Sequence, residues 1–90
     1  LELGRVREGF TRADALNDAR RLAQHAEALG YKRFWVAEHH NMAAVTTAAT
    51  SIVISHIAAG TKTIRVGAGG IMLPNHAPYV IAEQFGTLDA

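Results

Sequence analysis

The sequence predicts an α/β fold in which parallel strands alternate with helices, as in the first part of a (β/α)8 barrel. Short apolar runs alternate with longer stretches of helical periodicity, in the order strand, helix, strand, helix, strand, helix. The links are only a few residues long, which favours right-handed βαβ crossovers and a parallel sheet. Three such units in 90 residues match the spacing of the barrel, where about 250 residues make eight units. A doubly wound sheet is the competing architecture.

The first unit consists of a strand end and a long helix. Leu1–Val6 opens with alternating apolar and polar residues, as a strand would. Thr11 and Asp14 have the spacing of a capping box. Apolar or small residues then recur every three or four positions, and Gly30 follows as a C′ residue suited to the left-handed conformation. We therefore predict a helix between Thr11 and Gly30.

The second unit contains the segment on which the functional interpretation depends. Arg33–Glu38 is rich in aromatic and β-branched residues, which predicts a strand covered on both faces. A helix follows to about Ala59, with Thr46 or Thr47 as its N-cap. Because this helix is apolar or small on every side, we expect it to be covered on more than one face.

The third unit starts with the strand Thr63–Gly67. The apolar run continues beyond it, and Pro74 is expected to end the strand. Pro78 then suits the first turn of a third helix, where its missing N–H costs nothing.

Composition excludes several classes of function. The net charge is +1 and no basic run exceeds two residues, so nothing indicates a nucleic-acid partner. The chain has no cysteine, no apolar run near the roughly 18 residues of a membrane span, and no signal peptide at its start. We therefore expect a cytoplasmic protein with no membrane partner. The 49% hydrophobic content is high for 90 residues, which favours a piece of one larger domain, with no complete domain boundary within the chain.

Glu38, His39 and His40 lie at the C-terminal end of a strand, which is where α/β folds place their catalytic and ligand-binding residues. Adjacent strand residues point to opposite faces, so the two imidazoles cannot easily bind one metal ion, and we predict no metal site. A histidine acting as a general base or hydrogen-bond donor fits better, because imidazole exchanges protons near neutral pH. A polar turn that only caps the next helix is the alternative.

The glycines at 67, 69 and 70 do not form a dinucleotide fingerprint. The position of the required third glycine is Met72, and no helix opens within the motif. These glycines instead predict a backbone distortion, or the close approach of a flat ligand to the backbone. A simple bulge is the alternative.

Two segments resemble the bacterial luciferase-like, flavin-dependent oxidoreductases. Tyr31–Asn41 is similar to the second-strand segment of that family, and Ile64–Pro78 is similar to the third strand with its following loop. The two motifs occur in the right order, and the resemblance covers nearly the whole chain.

The resemblance implies a (β/α)8 barrel and a monooxygenase that uses reduced FMN and oxygen on a small organic substrate. A deazaflavin-dependent reductase on the same barrel, or a truncated, non-catalytic assembly module, are the alternatives. The resemblance also implies His39 as the catalytic imidazole. The implied cofactor contacts are Glu38, His39, Ala68, Gly69 and Gly70.

The resemblance further implies a homodimer packed through the second and third helices, with a hydrogen bond between His40 and Glu83 across the interface. The small side chains of the second helix agree with such packing. It also implies a cis peptide bond between Gly69 and Gly70. The family's phosphate site and much of its substrate pocket lie on later strands, so we expect these 90 residues alone to be inactive.

Overall fold

The protein is an α/β structure whose strands are parallel, as predicted. The computed structural model describes residues 1–90. Its elements in chain order are α1 (Arg12–Ala28), β1 (Arg33–Val36), α2 (Thr50–Ala58), β2 (Arg65–Ala68) and α3 (Pro78–Asp89). β1 and β2 pair in parallel, with Arg33 opposite Arg65 and Val36 opposite Ala68.

The N-terminal segment lies against the other edge of β1. The backbone N–H of Glu2 donates to the carbonyl of Trp35 at 2.7 Å, and the N–H of Ala37 donates to the carbonyl of Glu2 at 2.9 Å. The strand predicted at Leu1–Val6 is thus reduced to two isolated bridges, a parallel one between Glu2 and Val36 and an antiparallel one between Arg5 and Val45. β1 is consequently the central segment at this end of the molecule.

Helix α1 begins and ends as its capping residues predict. Thr11 Oγ1 accepts from the backbone N–H of Asp14 at 3.1 Å, and Asp14 Oδ2 accepts from the N–H of Thr11 at 2.8 Å. Gly30 follows the C-cap with a φ of +86°, in the left-handed region that glycine tolerates. The buried face of α1 consists of small side chains at Ala15, Ala19 and Ala23.

The predicted N-cap of α2 is wrong. The N-cap residue is Ala49, and no side chain caps the helix. Thr46 Oγ1 instead donates to the carbonyl of Gly4 at 2.9 Å, and Thr47 is fully buried. Because both threonines are held against other parts of the chain, the helix starts several residues later than its sequence signal.

The hydrophobic core lies between the sheet and the helices α1 and α2. Phe34 and Val36 are buried on the helix side of β1, whereas Trp35 points away and its residue is 51% exposed. Burial of apolar side chains of this size stabilises a fold by roughly 1.5–3 kcal/mol each. The core cluster comprises Ala19, Ala23, Phe34, Val36, Val53, Ile54, Ile57 and Ile64.

The chain changes direction where β2 ends. β2 stops at Ala68 rather than continuing to Pro74, and the Gly69–Gly70 peptide bond is cis, as predicted. A single 3-10 turn at Leu73–Asn75 contains Pro74, and Pro78 occupies the first turn of α3, as predicted. None of the helices is long and apolar enough to cross a bilayer.

Candidate active site

The residues that follow β1 and β2 lie side by side, because the two strands are parallel and in contact. The backbone N–H of Gly69 donates to the carbonyl of Val36 at 2.9 Å, which brings the two strand ends together. The Glu38–Asn41 segment and the loop that starts at Gly69 therefore form one surface at the carboxyl edge of the sheet. This is the edge where parallel α/β folds bind their ligands.

The Glu38 carboxylate is the central hydrogen-bond acceptor of this surface. Its side chain is 1% exposed. Oε2 lies 2.7 Å from His40 Nε2, and Oε1 lies 3.0 Å from His76 Nε2. The backbone N–H of Met72 donates to Oε1 at 3.2 Å. One buried carboxylate thus connects the end of β1 to both halves of the loop after β2.

The protonation state of this cluster follows from its hydrogen bonds. Burial raises the pKa of Glu38, but the hydrogen bonds from His40, Met72 and His76 outweigh it and hold the pKa below its ordinary value of 4.5. An ionised carboxylate can only accept hydrogen bonds, so both imidazoles must carry a proton on Nε2. In the neutral ring of each histidine, Nδ1 is then the free acceptor.

His39 has a different environment from His40. The residue is half-buried, and its Nδ1 is enclosed by protein without a hydrogen-bond partner. A buried donor or acceptor without a partner costs about 1–3 kcal/mol, so Nδ1 is an unsatisfied position of this site. Nε2 is the ring nitrogen of His39 that is not enclosed and remains for a bound ligand.

The glycine segment presents two different faces. A Cβ atom on Gly69 would lie 3.0 Å from Trp35 Cε3 and 3.2 Å from Leu1 Cδ1, whereas one on Gly70 would meet nothing within 4 Å. The backbone at Gly69 is therefore packed against the Trp35 ring, and the backbone at Gly70 faces open space. A flat ring can approach the backbone at Gly70 without meeting a side chain there.

The structure brings some of the predicted site residues together and adds His76, which was not predicted from the sequence. Glu38 and His40 are hydrogen-bonded to each other, and His76 completes the cluster. These three side chains do not form a set that could hold a metal ion. The sequence did indicate a position for His76 near the site, because Pro74 and Pro78 flank it within a loop that follows a strand.

Fold and site together define an α/β protein with a polar ligand surface at the carboxyl ends of parallel strands. The sequence profile of the luciferase-like monooxygenases matches residues 3–90, and the chain belongs to this family. The predicted family and fold class are thereby confirmed.

Individual relatives agree with this assignment. The chain is 56% identical to the protein YvbT of Bacillus subtilis (strain 168), with 99% of this chain and 26% of that protein covered. It is 52% identical to a luciferase-like monooxygenase of Escherichia coli (strain K12), over 99% of this chain and 27% of that protein. The crystal structure of apo-MsnO8 superposes with a TM-score of 0.92 at 47% identity, covering 97% of this chain and 26% of that one. The chain thus spans about a quarter of the length of these relatives.

Proposed function

We propose that the protein containing this chain is a flavin-dependent monooxygenase that uses reduced FMN and oxygen to oxidise a small organic molecule. The family assignment supports an oxidoreductase of this kind. The observation that carries the proposal is the pairing of His39, whose Nδ1 is enclosed, with a glycine backbone open to a flat ring at the same sheet edge.

The residues at this edge fit a flavin. The backbone of Ala68, Gly69 and Gly70 offers polar groups with no side chain in front of Gly70. His39 offers Nε2 as the nitrogen that donates or exchanges a proton, and Glu38 holds the adjacent loop. When bound, the reduced flavin supplies the electrons for the reaction with oxygen. The protein's part is to orient the ring, to exclude water and to hold a proton at His39 Nε2.

We further propose that the protein is a homodimer packed through the second and third helices, here α2 and α3. A groove of about 650 Å³ lies between them, lined by Ser51, Ile52, Ser55, His56, Val80, Glu83, Gln84, Thr87 and Leu88. Ile52 and Val80 are exposed apolar residues in this groove. Small and apolar side chains of this kind allow two helix pairs to approach closely.

The test is a binding and oxidation experiment on the full-length protein. The purified apoprotein is titrated with photoreduced FMN without oxygen, and binding is followed by flavin fluorescence. Oxygen is then admitted, and its consumption is recorded in the presence and absence of protein. Saturable binding of reduced FMN with protein-dependent oxygen consumption supports the proposal. Binding of a reduced deazaflavin in place of FMN contradicts it.

A further inference from the structure

We propose that Glu38 is a positioning residue whose carboxylate fixes the loop from Gly69 to His76 against the end of β1. In this role Glu38 acts on the flavin through the loop rather than by direct contact, so this inference rests on the proposed function for the nature of the ligand. His76 is its partner in the loop, and its imidazole serves as a hydrogen-bond donor to the carboxylate.

Protein donors already occupy the Glu38 carboxylate. Both oxygens accept hydrogen bonds from protein donors, and only 1% of the side chain is exposed. A ligand at the sheet edge would have to displace His40 or His76 to reach it. Breaking one partner from a buried charge costs more than a typical hydrogen bond, so direct contact with a ligand is unfavourable.

The loop from Gly69 to His76 has few other attachments. The backbone hydrogen bonds that Leu73, Asn75 and His76 donate all run to residues within the loop, at 2.9–3.0 Å. No residue from Gly69 to Ala77 is buried. From Ile71 to His76, the hydrogen bonds to another part of the chain are those made to Glu38. Its carboxylate therefore tethers the loop at both of its halves.

The negative charge of Glu38 strengthens every arm of this tether. Glutamine has the shape of glutamate, but it is neutral and offers one acceptor oxygen and an NH2 group that can only donate. In a Glu38→Gln variant that NH2 would face an imidazole N–H or the N–H of Met72. An arm to an imidazole then survives only through a change of tautomer, and an arm to Met72 is lost, although the volume of the side chain is kept.

The first test uses the full-length protein without flavin. Nitrogen-15 NMR reports the tautomers of His40 and His76, and hydrogen exchange reports the Met72 amide. Wild type is expected to show the Nε2–H form in both neutral rings and a protected Met72 amide. Glu38→Gln should mix the tautomers and accelerate Met72 exchange at least tenfold, whereas Glu8→Gln, a change at an exposed acid, should alter neither. Unchanged tautomers and exchange in Glu38→Gln would overturn the inference.

The second test uses His76, whose loop position makes a folding defect less of a concern. His76→Gln keeps a donor near the position of Nε2, and His76→Leu removes it. We expect His76→Gln to bind FMN as wild type does, and His76→Leu and Glu38→Gln to bind it about 10- to 100-fold more weakly, the range known for metal sites whose supporting hydrogen-bond partners are removed. Equal weakening in His76→Gln and His76→Leu would show that the donor is not what matters, and would overturn the proposed role of His76.

The two proposals fail in different ways. If wild-type protein binds no FMN while Glu38→Gln still loosens the Met72 amide, the flavin assignment falls and the positioning role stands. If FMN binds to wild type and Glu38→Gln alike with the same affinity, the flavin assignment stands and the positioning role falls.

Discussion

The carboxylate of Glu27 accepts a hydrogen bond of 2.8 Å from the backbone N–H of Ile64. The same oxygen accepts from the N–H groups of Lys62, at 2.8 Å, and Thr63, at 2.6 Å. A side chain near the end of α1 thus holds the turn that leads into β2. The hydrogen bonds from Ile64, Thr63 and Lys62 lower the pKa of Glu27 from 4.5 to about 2.

This pKa predicts how the stability of the fold depends on pH. Because the folded-state pKa is depressed, the ionised carboxylate contributes stability that is fully present above pH 4.5 and is lost as the pH falls through about 2. Glu27→Gln should therefore unfold at lower denaturant concentration than wild type near neutral pH, and the difference should shrink in acid. Urea unfolding across this pH range measures it, with Glu8→Gln as the exposed control. A difference that stays constant down to pH 2 contradicts the prediction.

The two glycines at the end of β2 should respond differently to alanine. A Cβ on Gly69 would press on Trp35 and Leu1, so Gly69→Ala should lower the free energy of unfolding by roughly 1–3 kcal/mol. Gly70→Ala has room and should leave the free energy of unfolding largely unchanged, but its methyl group would stand where a flat ring must approach. Chemical unfolding and FMN titration of the full-length variants separate the two effects. Wild-type FMN affinity in Gly70→Ala would remove Gly70 from the predicted ring contact.

His39 should be needed for turnover rather than for folding. Its Nδ1 has no partner to lose, so replacing the ring should have little effect on stability. His39→Ala in the full-length enzyme should lower the turnover rate by about 10²–10⁴-fold, the usual contribution of a general acid or base. His39→Gln can still donate a hydrogen bond but cannot transfer protons as imidazole does. Full activity in His39→Gln would indicate that the residue only donates a hydrogen bond; a lowered unfolding midpoint with unchanged activity per folded molecule would make His39 structural.

The proposed contact between His40 and Glu83 of the partner subunit should need the Glu83 carboxylate. Glu38 already accepts the Nε2 proton of His40, so an ionised Glu83 can be bound only through a proton on Nδ1. Glu83→Leu removes this acceptor and should weaken the dimer. Analytical ultracentrifugation of the full-length protein measures the dimer dissociation constant.

A matched variant tests this contact directly. The amide of Glu83→Gln can accept from an Nδ1–H group or donate to an Nδ1 lone pair, so its dimer should be stronger than that of Glu83→Leu. If wild type, Glu83→Gln and Glu83→Leu dimerise with the same dissociation constant, the contact between these two residues is excluded.

The parts of the fold set by neighbouring residues were predictable from the sequence. The capping box at Thr11, the proline that opens α3 and the apolar segments of β1 and β2 are local signals that the structure follows, whereas Leu1–Val6 forms only isolated bridges. The N-cap of α2 was not predictable, because Thr46 is held by Gly4, 42 positions earlier in the chain. The sequence placed Glu38 in the site, but its link to His76 spans 38 positions and no local pattern announces it. The prediction therefore failed where the partner of a residue lies far away in the sequence, because such pairings are made only by the tertiary fold.

The hydrogen bonds to Glu38 constrain the length of the loop after β2, and they do not involve the side chains of Met72 and Leu73. Adding or deleting one residue between Gly70 and His76 would shift the chain by about 3.3 Å, which a hydrogen bond cannot absorb. The length of the loop is therefore fixed, whereas Met72 contributes only its backbone N–H to the carboxylate. The side chains of Met72 and Leu73 take no part in the tether; within these 90 residues the two residues are 47% and 51% exposed. In a library that randomises these two positions at constant loop length, most members should remain folded, which makes this loop the natural place to alter what the protein accepts beside its cofactor.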